Sequence, residues 1–288
     1  ATHKVCVNTL GAYKQSMEVL LTGLDIEKKA EIYVDQVFHN LGGKEQFTDV
    51  DIHLIRSDKE DPASNEEAHA ALRITITSDD PSKLGRLLQA KVTELGLAAI
   101  PGNTGRGAAG YNGSPVIAYW PTLIDSRKVT ERVHIDGDLI EVLPTQRLGL
   151  EERYYQEVPV KIPPAPGGDT TRIPFGRLFG TRSGDKGGAA NCGVWAKTDE
   201  AFGFLHEFLT VEKFKELAPD MASYKIERFD LPNLRALNFY IHDVLGEGVS
   251  SNHRIDKQAK SLCEYLRAKT IEAPTLLVDQ IARTNLNE

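Results

Sequence analysis

The residues with the most chemical potential in this 288-residue chain are Thr181-Arg182-Ser183-Gly184-Asp185-Lys186-Gly187-Gly188, followed closely by Asn191. Two cations, an acid and three glycines share one short segment. Glycine reaches positive φ at no steric cost, so successive N–H groups can converge on an anion, and Arg182 and Lys186 add charge to the same concavity. A ligand-binding loop is therefore expected here. It is neither GxxxxGK[ST] nor GxGxxG, so the nucleotide-binding loops with those spacings are not indicated. The competing reading is a tight, solvated hairpin turn.

Three stretches, TRSGDKGGAANCGV at 181–194, PNLRALNF at 232–239 and RIDKQAK at 254–260, resemble in order and spacing the C-terminal domain of the acyclic terpene utilisation (AtuA-like) family. That resemblance covers about residues 173–275. Residues 1–145, with SPVIAYWPTLIDSRKV at 114–129, are similar to the later part of the family's large N-terminal domain. The resemblance implies a preceding α/β region with no counterpart in this chain, which then reads as a shortened homologue, a fragment or one of two subunits. Ala1 in place of Met favours processing or truncation. Ala259 stands where the pattern calls for glycine ahead of Lys260.

The resemblance also singles out site positions. Asp185 and Lys186 are the expected catalytic pair, with Asp185 as base. Arg182, Ser183, Gly184, Gly187, Asn191, Asn238, Arg254, Asp256 and Lys260 are the expected substrate-binding residues. Cations hold a carboxylate, phosphate or thioester oxygen, and the asparagines orient neutral oxygens. In the bland alternative Asp185 pairs with Arg254, while Asp256 caps a helix and pairs with Lys260 at i,i+4, for stability alone.

The family name and its association with acyclic terpenes such as citronellol and geraniol imply an enzyme acting on an isoprenoid acid or its CoA thioester by hydration, dehydration or C–C cleavage. Each reaction needs proton transfer beside a carbonyl whose developing charge is stabilised. The alternative is a non-catalytic ligand-binding or assembly subunit, whose partner chain carries the missing N-terminal region.

Composition narrows the remaining classes. With 41% hydrophobic and 26% charged residues, the chain can bury two cores. No apolar run reaches 18 residues and no secretion signal is visible, so no membrane association is expected. The net charge of −7 and the lack of a basic stripe argue against nucleic acid. Cys6, Cys192 and Cys263 are too widely spaced for a disulfide framework or a zinc pattern, which fits a reducing cytoplasm. Cys263 reads as a core residue and Cys192 as either packed or reactive. The histidines do not cluster, and neither a metal nor a cofactor is expected.

Periodicity supplies the elements that must position these residues. Alternation marks strands around Tyr13–Leu21, Val50–Leu54, Ala70–Ile76 and Pro115–Ile124. Helical spacing marks Ala30–Leu41 after Asp25, and Leu84, Leu87, Leu88, Val92 and Leu95 after Asp80-Pro81. That order is ferredoxin-like. A glycine-rich loop follows at 101–113, and a hairpin at 129–142 turns on Asp136-Gly137. Residues 158–172, with four prolines, read as an extended linker rather than a packed element.

Beyond it come strands at 173–180 and 191–196, helices at 200–209 and 211–217, strands at 224–229 and 234–243, and a final helix at about 256–270. On the strand at 234–243, Asn238, Tyr240 and His242 share one face, which needs a reason if that strand is central. The expected fold is α+β: two ferredoxin-like α/β sandwich domains, 1–145 and 173–288, joined by a Pro/Gly-rich linker at 146–172. One open sheet face in each favours a homo-oligomer.

Overall fold

The computed structural model describes residues 2–98, 100–105, 113–142 and 161–285. The expected domain limit at 145, the first part of the linker and residues 106–112 of the glycine-rich loop lie outside the described residues. Contacts group the chain into two compact units, Thr9–Ala118, and Ala1–Asn8 with Tyr119–Glu288.

The Thr9–Ala118 unit is built from β1 (Thr2–Thr22), α1 (Ile26–Asn40), β2 (Asp49–Ile55), β3 (His69–Ser78), α2 (Arg86–Glu94), β4 (Asn103–Gly105) and β5 (Ser114–Asp125), of which β1 and β5 run past its limits. The strands stand in the order β2-β3-β1-β4, with β5 also paired to β1. β1 is antiparallel to β3 and β4, and β2 is antiparallel to β3. This is the split βαβ order expected from the sequence. Met17, Val19, Leu21, Leu72, Ile74 and Ile76 face Tyr33, Val37, Phe38 and Leu88 in one core.

Local chemistry departs from expectation at two helix starts, in the capping of α1 and in the position of α2. Asp25 precedes α1 in a left-handed conformation without a side-chain cap. Asp80 does cap a turn, accepting from the Ser82 amide, but that turn is a 3-10 segment, and α2 begins only after Gly85 at φ 68°. The changed phase leaves Leu87 49% exposed instead of in the core. Three-residue β4 was not expected, because so short a strand carries no alternation.

In the larger unit, β6 (Glu131–Ile135) and β7 (Asp138–Val142) form the expected hairpin. Asp136 and Gly137 both have positive φ, as a primed two-residue turn requires. There follow β8 (Thr170–Pro174), α3 (Phe175–Leu178), β9 (Gly180–Lys186), β10 (Ala189–Trp195), α4 (Asp199–Phe208), α5 (Val211–Leu217), β11 (Ile226–Leu231), β12 (Ala236–Ile241), α6 (Leu262–Arg267), β13 (Thr270–Pro274) and α7 (Thr275–Asn285). β8 pairs with β13 in a separate ribbon.

The four-stranded sheet has the order β11-β12-β10-β9, antiparallel throughout. Matching β9, β10, β11 and β12 to strands four, one, two and three of a split βαβ unit reproduces its spatial order. The chain thus enters the same arrangement one strand earlier.

Residues 161–167 have no regular structure, yet they are not a free linker. Ile162 packs against the larger unit's core, and a Cβ on Gly203 of α4 would lie 2.4 Å from the Pro163 carbonyl oxygen. Proline supplies carbonyls without competing amides, so this stretch lies against a helix without joining a ladder.

One turn further along α4, Asp230 on β11 bonds His206 at 2.9 Å and Arg228 at 2.8 Å. Partial burial of the Asp230 carboxyl raises its pKa, but the bonds from Arg228 and His206 outweigh that and hold it below the ordinary carboxylate value. The resulting stabilisation is complete above the unfolded pKa of about 4 and is lost as pH falls through the lower folded value. Urea unfolding should find Asp230→Asn weaker by up to about 1 kcal/mol at neutral pH. The gap should close below about pH 4.

Candidate functional site

The segment 180–186 is a strand and not a loop. β9 pairs with β10 from Gly180↔Trp195 to Lys186↔Ala189, leaving Gly187-Gly188 as a two-residue turn. Polar and glycine residues hid the strand, since β9 is an edge strand with no apolar alternation to read. Gly187 has φ 70°, which explains glycine there. The amides of 182–186 therefore lie in the plane of a ladder and do not converge on an anion.

Alternation along β9 divides the expected residues between two faces, because opposed residues of antiparallel strands share a face. Thr181, Ser183 and Asp185 stand opposite Val194, Cys192 and Ala190, all buried, and thus point to the helix-covered side. Arg182, Gly184 and Lys186 stand opposite Gly193, Asn191 and Ala189. Gly193 and Asn191 in turn stand opposite Asn238 and Tyr240.

Arg182, Lys186, Asn191 and Asn238 are thereby gathered on the outer sheet face, with Asn191 Nδ2 donating to Asn238 Oδ1 at 3.0 Å. β12 is indeed central, and the polar residues on its outer face belong to this patch. Lys186 Nζ donates to the carbonyl of Asp185 at 2.9 Å.

Register adds residues to the patch that the motifs did not name. Glu227 stands opposite Tyr240 and Phe229 opposite Asn238. His242 Nε2 and Glu227 Oε2 are 2.6 Å apart. The His242 and Lys225 contacts hold the Glu227 carboxyl below its ordinary pKa. Trp195, Phe229 and Leu231 flank the polar centre and stay 41%, 51% and 41% exposed. An apolar margin around amide and cationic groups suits a ligand with a charged end and a hydrocarbon part.

At the hairpin tip, a Cβ on Gly187 would lie 3.1 Å from the Tyr119 ring. The Tyr119 hydroxyl is 3.2 Å from Cys6 Sγ, and this bond, with some desolvation, raises the phenol pKa. The signal that could have found Tyr119 was its place in the 114–129 stretch.

The remaining expected residues are engaged in other contacts. Ser183 Oγ accepts from the Cys263 amide at 3.0 Å and ties β9 to α6. Arg254 pairs with Asp220 at 3.0 Å, not with Asp185. Asp256 is not on a helix: its carboxylate accepts from the Lys260 amide at 2.9 Å and from the Ser261 amide and hydroxyl at 2.8 Å. The expected Asp256–Lys260 pair is therefore a side chain bonded to backbone.

This turn stops the helix from beginning at 256, and Ala259 within it has φ 52°. Glycine is favoured there because alanine in that region costs about 1–2 kcal/mol. Cys192 and Cys263 form a disulfide with Cα atoms 6.1 Å apart, which corrects the reading of both as unlinked. Wide sequence spacing concealed the pair, as β10 and the N-terminal turn of α6 meet only in the folded unit. Among the described residues no group of three or more His, Cys, Asp or Glu could hold a metal ion. No helix among them is long and apolar enough to cross a membrane.

These features define an α+β protein whose larger unit presents a polar, cation-bearing face of a permuted ferredoxin-like sheet. Residues 1–135 match the family model described as acyclic terpene utilisation family protein AtuA, and residues 173–272 match the AtuA ferredoxin-like domain. The chain belongs to this AtuA-like family. No curated protein and no solved structure matches it.

Proposed function

We propose that the chain acts in acyclic terpene utilisation by binding an anionic isoprenoid acid or its CoA thioester on the outer face of β9, β10 and β12. The observation carrying this reading is the convergence of Arg182, Lys186, Asn191 and Asn238 on one sheet face. The cations take the carboxylate or phosphate, the Asn191–Asn238 pair orients the acyl oxygen, and the exposed Trp195 and Phe229 receive the branched chain. Hydration, dehydration or C–C cleavage would then need a proton carrier at that oxygen. Tyr240, by register, and His242, by its contact with Glu227, are better placed than Asp185, which points to the opposite side of β9.

That separation of Asp185 from Lys186 favours a second reading, a ligand-binding or assembly subunit without chemistry of its own. A homo-oligomer completes the proposal, whereas a cytoplasmic site of action loses the support it drew from unlinked cysteines, because Cys192 and Cys263 are joined. The oligomer is motivated by the four β-branched residues Val133, Ile135, Ile140 and Val142 and by Leu139, all exposed along the β6–β7 hairpin. Incubation with isoprenoid acyl-CoAs and free isoprenoid acids, followed by thermal unfolding and mass spectrometry, separates the readings. Stabilisation with a new product supports the enzyme. Stabilisation without conversion supports the binding subunit, and no stabilisation by any of these compounds contradicts both.

A further inference from the structure

We infer that the larger unit holds a second ligand site, at the opposite end of β9 and β10 from the Gly187-Gly188 turn, that takes a small monocarboxylate with an apolar tail. A cavity of about 420 Å³ opens between α3, the start of α4 and α7. Its wall includes Leu178, Ala201, Leu277 and Ile281, and its rim carries Arg177 and Lys197. Leu178, Ala201 and Leu277 are 6%, 8% and 1% exposed, so the floor is apolar and packed, not a mobile surface.

Arg177 precedes β9 and Lys197 follows β10, so the fold brings two cations to one mouth. Both side chains are exposed, and neither enters an ion pair or a side-chain hydrogen bond among the described residues. The nearest acid in sequence, Asp199, is engaged by Arg235. Two unneutralised cations above an apolar floor are complementary to an amphiphile with one anionic head.

The volume lies near the lower end of the range of about 300–1,000 Å³ for small-molecule pockets. A single short chain fits it, in contrast to the open sheet face. Six residue steps along β9 place Lys186 roughly 20 Å from the Gly180 end, where the cavity lies. The inference does not rest on the reading of the sheet face.

The test is calorimetric titration of the full chain with octanoate, acetate and 1-octanol, using wild type, Arg177→Gln/Lys197→Gln and Lys186→Ala. Octanoate should still bind Lys186→Ala, whose change is confined to the sheet face, and should bind the double variant at least about tenfold more weakly at the cavity, which loses two charge-assisted contacts. The double variant should keep the wild-type unfolding midpoint, because both residues are exposed. Acetate, lacking the tail, should bind at least tenfold more weakly than octanoate, and 1-octanol should bind both proteins equally. Ala201→Leu, which fills the floor, should weaken octanoate and 1-octanol together. Absence of octanoate binding, unchanged binding by the double variant, acetate as strong as octanoate, or binding lost in Lys186→Ala alone would each overturn the assignment.

Discussion

Replacing Cys192 and Cys263 together by alanine should lower the stability of the larger unit by about 4 kcal/mol, the loop-closure contribution of a cross-link spanning some 70 residues. The pair joins central strand β10 to α6 across a sequence separation of 71. Its removal frees the unfolded chain over the stretch that holds α4, α5, β11 and β12. In a unit of this size the melting temperature should fall by roughly 10 °C. Urea unfolding of the double variant and of the reduced wild type should then coincide. Thiol titration of the denatured, unreduced chain should find Cys6 alone. Three reactive thiols under those conditions would mean that the two cysteines are merely packed, and the loss should shrink to that of two small buried side chains.

Gly188→Ala should be the most damaging single change in the β9–β10 hairpin. A Cβ there would lie 2.0 Å from the carbonyl oxygen of Gly246, and backbone cannot yield as a side-chain tip can. The adjacent bond from the Leu245 amide to the Gly188 carbonyl, 2.8 Å, would have to open as well. A loss above about 2 kcal/mol is expected, in the class of overpacked positions. Gly184→Ala supplies the contrast, since nothing lies within 4 Å of a Cβ at that position. It should change stability by no more than about 0.5 kcal/mol. Equal effects of the two substitutions, read by urea unfolding, would mean that the turn does not pack against 245–246.

Much of the chain was legible because burial leaves a period. β1 to β3 and α1 alternate or repeat at helical spacing since one face of each meets a core, and α4, α5 and β12 were recognisable for the same reason. The misreadings have separate causes. β9 carries glycine and charge on an edge, so its strand character shows only in its pairing with β10. α6 begins at Leu262 and not Asp256 because the Asp256 carboxylate folds the preceding turn, with Ala259 left-handed within it.

The entry of the chain into its second sheet one strand early is invisible to periodicity, which gives faces and not neighbours. Of the candidate site, the residues could be found in the motifs, but their division was not. Arg182, Lys186, Asn191 and Asn238 meet on one face, whereas Ser183 and Asp185 point away, and only register decides that. The cavity beside Arg177 and Lys197 draws on three separated segments, so no local pattern marked it.

The most direct measurement is calorimetric binding of an isoprenoid acyl-CoA to wild type, Lys186→Ala and Asp185→Asn, with thermal unfolding of each. Lys186 is exposed and buries little, so its loss should change stability by no more than about 0.5 kcal/mol. It should cost about 1.5–3 kcal/mol of binding, roughly tenfold or more in affinity. Asp185→Asn, on the other side of β9, should bind within a few-fold of wild type. Unchanged affinity in Lys186→Ala, or a larger loss in Asp185→Asn than in Lys186→Ala, would contradict the assignment of the ligand to the outer sheet face.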